Sequence, residues 1–217
     1  KFSDDADAKK AAAGRVELLT PVCKAFFTDR GFDNTVAGQQ CLGGHGYIVE
    51  NGMEQFVRDA RIAQIYEGTN GVQALDLAGR KVTRNGGKLV APFLADIEAF
   101  IAGDGQNAAL DGVRQPLTDA VALLRDATDF LIAETAWDAN AANALAVEYL
   151  DLFGYVTYAF LWAKMMAVAA DRAGDFYTTK LELGHYYFER QLPRIHSLRA
   201  QMGAGCARIM ELPDSAF

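Results

Sequence analysis

Apolar side chains recur at helical spacing along almost the whole chain, and this pattern constrains the fold more than any other feature. In residues 116–137, for example, Leu117, Val121 and Leu124 share one helix face. A sustained alternation of β-branched residues, which would predict a strand, occurs nowhere in the sequence. We therefore predict an all-α fold made of two packed helical bundles.

Capping residues, glycines and prolines divide this pattern into separate predicted helices. Ser3 and its acidic neighbours cap the first, and Thr20 with Pro21 either restarts a second helix or kinks a single one. Residues 46–52 are predicted to be an extended loop, and Pro193 is expected to kink or divide the last helix. The predicted helices cover residues 4–19, 20–31, 34–42, 53–62, 72–82, 89–102, 116–137, 140–173 and 176–210.

The run Asn85-Gly86-Gly87 breaks the composition and is the best candidate for a domain boundary. It predicts one domain over residues 1–84 and a second over residues 88–217. In the second domain, residues 145–170 are apolar enough to raise the question of a membrane span. Their uncharged run, residues 152–163, is shorter than the roughly 18 residues that a span requires, so we predict a buried helix.

The charge balance argues against several classes of partner. The chain has 21 Lys and Arg against 28 Asp and Glu, which gives a net charge of −7. Neither predicted domain has the surplus of basic residues that broad binding to nucleic acid or anionic lipid requires. We therefore expect no nucleic-acid partner.

The cysteines and histidines do not predict a metal site or a disulfide framework. Cys23, Cys41 and Cys206 are odd in number and widely spaced, without a Cys-x-x-Cys pair. The three histidines have no second ligand at metal spacing. We expect no metal, and a reducing cytoplasm as the compartment.

Glycine, aromatic and charged residues cluster between residues 40 and 71 in an order that helical periodicity does not explain. Three motifs follow one another there: Gln40-Cys41-Leu42-Gly43-Gly44-His45-Gly46-Tyr47, Arg58-Asp59-Ala60-Arg61-Ile62 and Ile65-Tyr66-Glu67-Gly68-Thr69-Asn70. The combination closely resembles the C-terminal helical domain of the acyl-CoA dehydrogenases, over residues 1–82. Residues 88–217 resemble the additional C-terminal helical domain of the longer members, including the 3-methylmercaptopropionyl-CoA dehydrogenase type.

The resemblance implies a role for each motif residue. Glu67 matches the catalytic base, which removes the proton α to a thioester carbonyl while the β-carbon gives hydride to FAD. Gly68 matches a position that lines the acyl-CoA substrate, and Tyr66 is expected to contact the substrate or to be a core aromatic. The residues that match FAD contacts are Gln40, Cys41, Leu42, Gly43, Gly44, Thr69, Asn70 and Gly71.

The family pattern also implies partners. Residues 40–44 match a segment that holds the adenosine-diphosphate end of FAD from a neighbouring subunit, so we expect a homodimer or homotetramer. An electron-transfer flavoprotein is the expected electron acceptor. Family members normally carry an N-terminal helical domain and a middle β-domain that grips the flavin. We therefore expect this chain to be a C-terminal fragment that is inactive alone.

Alternatives stand beside these expectations. A Glu at the start of a helix is often only an acidic residue favoured by the helix dipole. Arg58, Asp59 and Arg61 are expected to form a structural ion-pair set that orients the Glu67 loop. The chain as a whole could instead be a non-catalytic helical oligomerisation module, or belong to an acyl-CoA oxidase.

Overall fold

The computed structural model describes residues 5–216 and contains no strand in that range, which confirms the all-α prediction. Residues 5–216 form ten α-helices. They are α1 (Ala6–Cys41), α2 (Met53–Ala63), α3 (Asn70–Leu75), α4 (Val90–Ala102), α5 (Asp111–Trp137), α6 (Ala141–Ala144), α7 (Ala146–Ala170), α8 (Asp175–Tyr186), α9 (Arg194–Met202) and α10 (Ala207–Met210). Two of them continue as π-helical segments, α3 through Asp76–Val82 and α8 through Tyr187–Gln191.

The first helix is longer than predicted. Residues predicted to form two or three helices form one α-helix of 36 residues, with Pro21 inside it. Proline weakens a helix interior because it has no N–H to donate. Here Pro21 lies among residues buried against the rest of the bundle, and this packing holds the helix together across the proline. The predicted break at Gly31 is therefore wrong.

The start of α1 is capped by Asp5. Its side-chain oxygen Oδ1 accepts hydrogen bonds from the N–H groups of Asp7 at 2.9 Å and Ala8 at 3.2 Å. Such a cap satisfies donors that have no partner within the helix. The cap predicted at Ser3 lies outside the described residues.

The prediction of an extended loop over residues 46–52 is wrong, because the chain turns tightly there. A 3₁₀ turn, Gly43–Tyr47, folds back against the end of α1, and a second, Val49–Asn51, packs against the first turn and against α2. Gly46 makes this possible, since a Cβ there would lie 2.3 Å from the carbonyl oxygen of Gln39. The side-chain amide of Gln39 also donates to the Gly46 carbonyl oxygen at 3.2 Å.

Of the two prolines that were predicted to mark later helix boundaries, Pro193 does so and Pro116 does not. Helix α5 begins at Asp111, five residues before Pro116, where the sequence predicted its start. Pro116 therefore lies inside the helix. Pro193 does divide the last segment, because α9 begins immediately after it. This helix ends at Met202, whereas the sequence predicted helix as far as Met210.

One hydrophobic core runs through both halves of the chain, and α7 lies at its centre. This helix packs against α1, α3, α5, α8 and α9. Phe26 of α1 contacts the rings of Tyr155 and Tyr158 edge-on, with centroids 4.9 and 5.0 Å apart. Gly154 leaves the space for that ring. Residues 5–82 are thus packed directly against the segment that follows the glycine pair at 86–87.

Helix α7 is the one helix in the described range that is long and apolar enough to cross a membrane by length and composition. Its most apolar window has a mean hydropathy of 1.3, and 56% of that window is buried inside the structure. Leu152, Phe153 and Val156 have no exposed surface at all. The central helix of a bundle has the same composition, in agreement with the predicted buried helix.

Candidate active site

Glu67 lies in a short loop between α2 and α3, in a backbone conformation that side chains rarely adopt. Its φ is +53°, and it is the sole non-glycine residue with a positive φ among residues 5–216. Gly68 follows with a φ of +83°. Such a conformation costs on the order of 1–3 kcal/mol and persists where the surroundings impose it, often at functional sites.

Contacts from the start of α3 hold the loop in this shape. The side-chain amide of Gln73 donates to the Glu67 carbonyl oxygen at 3.2 Å. The Thr69 hydroxyl accepts from the Val72 N–H at 3.4 Å and so caps α3. The φ of Gly68 favours glycine there, and a Cβ would also lie 3.1 Å from the side-chain amide nitrogen of Gln73, which would have to shift slightly.

A half-buried carboxylate on α1 holds the loop from the other side. Asp29 accepts hydrogen bonds at one oxygen, Oδ1, from the side-chain amides of Gln64 and Asn70, each at 2.6 Å. Gln64 lies immediately before the loop and Asn70 immediately after it. The two ends are also joined directly, because the Asn70 N–H donates to the Gln64 carbonyl oxygen at 3.1 Å.

The Asn70 side chain points towards α1. Its oxygen accepts from the Lys24 ammonium at 2.7 Å, and its nitrogen also lies 2.9 Å from the Thr28 hydroxyl and 3.2 Å from the Ala25 carbonyl oxygen. Asn70 is therefore an anchor between α3 and α1. Its contact with FAD stays a prediction.

The remaining predicted residues of this loop face the outside of the described chain. Glu67, Gly68, Thr69 and Gly71 are exposed, and Tyr66 is 51% exposed. The alternative of a core aromatic at Tyr66 is therefore wrong, and its substrate contact stays a prediction. Apolar side chains beside the loop are exposed as well, and these are Ile62, Ile65, Val72 and Leu75.

The glycine turn, which is residues 40–44, lies far from Glu67 within one chain. Residues 40–44 are exposed at the end of α1, and Gly43 has a φ of +57°. A Cβ at Gly43 or Gly44 would meet no atom within 4 Å, so the backbone there is open to a ligand. At 1.5 Å per residue, Gln40 lies about 16 Å along α1 from Asp29. Within one subunit the two predicted groups of FAD contacts are therefore separated by about this distance along α1.

The prediction that Arg58, Asp59 and Arg61 pair with one another on α2 is wrong. Asp59 accepts from the side-chain amide of Gln55 at 2.7 Å, and among the described residues it has no ion pair with Arg58 or Arg61. Residues one or two apart on a helix do not face each other, which explains the difference. Arg61 does contact the loop, because it donates to the Gln64 side-chain oxygen at 2.8 Å.

The comparisons with known proteins match both halves of the chain. A family model described as "Acyl-CoA dehydrogenase, C-terminal domain" matches residues 4–82, and one described as "Acetyl-CoA dehydrogenase C-terminal like" matches residues 93–213. The chain belongs to the acyl-CoA dehydrogenase family. The Glu67 loop and the glycine turn both lie inside the first match.

Curated members of this family resemble the chain over most of its length. The 3-methylmercaptopropionyl-CoA dehydrogenase of Ruegeria pomeroyi is 40% identical over 68% of the chain and 25% of its own length. A broad-specificity linear acyl-CoA dehydrogenase of Mycobacterium tuberculosis is 29% identical over 93% of the chain and 35% of its own length. A butyryl-CoA dehydrogenase of Syntrophomonas wolfei is 28% identical, over 92% and 34%. The chain thus spans about a third or less of these relatives.

Sequence reasoning missed the residues of this acyl-CoA dehydrogenase chain that hold the Glu67 loop in place. Asp29 and Lys24 lie within one predicted helix, Gln64 lies just after another, and none of the three belongs to the quoted motifs. Gln64 is 35 residues from Asp29, and Asn70 is 46 residues from Lys24. No local spacing indicates contacts between residues so far apart in the sequence.

Proposed function

We propose that the chain is the C-terminal part of an FAD-dependent acyl-CoA dehydrogenase in which Glu67 is the catalytic base. The observation that carries this proposal is the loop itself. The carboxylate is exposed on a strained backbone whose two ends are fixed to α1, in the segment that the family model matches. A non-catalytic helical module has no need for such a conformation at a glutamate.

Two groups of Glu67 have a role in the proposed reaction, and the first is its side-chain carboxylate. Its carboxylate takes the proton from the carbon α to the thioester and becomes a neutral acid, while FAD, when bound, accepts the hydride from the β-carbon. A thioester that covers the loop removes water from the carboxylate, and loss of water favours proton uptake.

The backbone of Glu67 provides the second group. Within the described residues its N–H donates to no acceptor of the protein. A free N–H beside the base can donate to the thioester oxygen, where negative charge develops as the α-proton leaves. We also propose that Gly68, which has no side chain, and Tyr66 line the substrate.

FAD contacts are proposed at the glycine turn and at the start of α3. The turn fits a ligand because its backbone is open, and Thr69 to Gly71 begin a helix whose N–H groups favour an anion. Residues 40–44 match the family segment that holds FAD from a neighbouring subunit, and on that basis we propose a homodimer or homotetramer. We further propose an electron-transfer flavoprotein as acceptor and a cytoplasmic location. The relatives direct the substrate test to 3-methylmercaptopropionyl-CoA and to short linear acyl-CoA thioesters.

The test is formation of 2-enoyl-CoA by the full-length flavoprotein with an artificial electron acceptor. Glu67→Gln keeps the shape of the side chain but removes the base, and should lower kcat by roughly a hundredfold to ten-thousandfold. Glu50→Gln is the matched control, because it changes an exposed glutamate in the 3₁₀ turn Val49–Asn51. It should keep wild-type activity. Wild-type turnover by Glu67→Gln would refute the assignment.

A further inference from the structure

We propose that Asp29 is a positioning residue that fixes both ends of the Glu67 loop and thereby sets the direction of the catalytic carboxylate. This inference rests on the proposed function of Glu67. Hydrogen bonds from Asp29 join α1 to both ends of the loop, at a point of α1 that bears none of the motifs.

The loop leaves α2 at Gln64 and enters α3 at Asn70, and a backbone hydrogen bond of 3.1 Å closes it between these residues. The Asp29 oxygen lies at this closure and accepts from both side chains at 2.6 Å. Hydrogen bonds to a charged acceptor are stronger than those between neutral groups. One carboxylate therefore holds the beginning and the end of the loop at the same time.

Two cations fix the direction in which the amides point. Arg61 donates to the side-chain oxygen of Gln64 at 2.8 Å, and Lys24 donates to that of Asn70 at 2.7 Å. Each amide thus presents its oxygen to a cation and its nitrogen to Asp29. The result is one continuous series of hydrogen bonds through the side chains of Arg61, Gln64, Asp29, Asn70 and Lys24. Neither amide can rotate without losing its hydrogen bond to a cation and its hydrogen bond to Asp29.

Glu67 depends on this support more than an ordinary loop residue would. Its backbone has a φ of +53°, so a loop released from α1 relaxes towards conformations that side chains prefer. Relaxation moves the carboxylate away from the α-carbon. A misplacement of about 1 Å at a reacting group can cost about a hundredfold in rate.

The test compares two substitutions at Asp29 in the full-length flavoprotein. Asp29→Ala removes both hydrogen bonds and should lower kcat about ten- to a hundredfold, with KM changed by less than about twofold. Asp29→Asn keeps an oxygen that can accept from both amides, and should restore most of the lost rate. The deuterium isotope effect with α-deuterated substrate should rise in Asp29→Ala, because proton removal becomes slower relative to the other steps.

Asp33→Ala is the control for the loss of a negative charge from α1. Asp33 lies one turn further along the helix, is exposed, and pairs with Arg30 at 3.2 Å. Its kcat and isotope effect should match the wild type. If Asp29→Ala does not accumulate as folded enzyme, Gln64→Leu decides by the same criteria, because it releases one end of the loop.

Wild-type kcat and isotope effect in folded, flavin-loaded Asp29→Ala would overturn the proposal, and so would an Asp29→Asn enzyme as slow as Asp29→Ala. Glu67→Gln separates this failure from that of the proposed function. If Glu67→Gln is inactive while Asp29→Ala is normal, Glu67 is the base and Asp29 does not position it. If Glu67→Gln is active, the function itself is refuted.

Discussion

Gly154→Ala should destabilise the fold strongly, because it places a methyl group inside the ring of a buried phenylalanine. A Cβ at Gly154 would lie 2.3, 2.4 and 2.8 Å from three ring atoms of Phe26. Carbon atoms in contact normally lie about 3.5–4.0 Å apart, so the ring would have to move by more than about 1 Å. Phe26 is fully buried and packed edge-on against two tyrosines, which leaves it no free direction.

Overpacking of this kind costs about 1–3 kcal/mol, and we expect the upper end of that range here. For a chain of this size, about 3 kcal/mol corresponds to a fall in Tm of about 6–12 °C. Gly31→Ala is the matched control within α1, since a Cβ there meets no atom within 4 Å. It should stabilise by up to about 1 kcal/mol, because alanine favours a helix interior over glycine.

The assay is urea unfolding of both variants and the wild type, followed by circular dichroism at 222 nm in the helical region of the spectrum. The expected order of stability is Gly31→Ala, wild type, Gly154→Ala. A Gly154→Ala protein as stable as the wild type would refute the packing of α1 against α7, and with it the continuous core that joins the two halves.

Three further changes test other parts of the fold by the same unfolding measurement. Gly46→Ala should lower the midpoint, because its Cβ would lie 2.3 Å from the Gln39 carbonyl oxygen; an unchanged midpoint contradicts the tight turn. Thr128→Val leaves the buried Tyr149 hydroxyl without its partner at 2.8 Å and should cost about 1–3 kcal/mol, most of which Tyr149→Phe in the same chain should restore. Burial raises the pKa of Asp151 from 3.8 to about 6, so the folded chain binds more protons between these values and stability falls as the pH rises through them. Asp151→Asn should remove that part of the fall, and parallel profiles for the two proteins would contradict it.

The helical class and most helix positions were accessible from the sequence because they depend on local signals. Apolar spacing in residues 116–137 and the glycine pair at 86–87 act over a few residues, and the structure has a helix over the first and an interruption between helices at the second. Pro21 misled the prediction because its cost to α1 is offset by packing against distant helices. Gly46 misled it because a buried glycine that touches backbone cannot be told from one in an open loop.

The candidate site shows the same division. Glu67 was found because its motif lies within a few residues and resembles a known family. Asp29 was missed because the groups it joins lie 35 and 41 residues away in the sequence. The loop with the strained φ of Glu67 is held both by a local contact, from Gln73 six residues further on, and by the distant Asp29.

Reduction of the flavin on mixing the full-length enzyme with acyl-CoA tests whether Glu67 is the catalytic base. The loss of flavin absorbance in a single turnover reports the removal of the α-proton and β-hydride without any contribution from the electron acceptor. We expect rapid bleaching with the wild type, and binding without bleaching with Glu67→Gln. Bleaching of Glu67→Gln at the wild-type rate would contradict the assignment of Glu67 as the base.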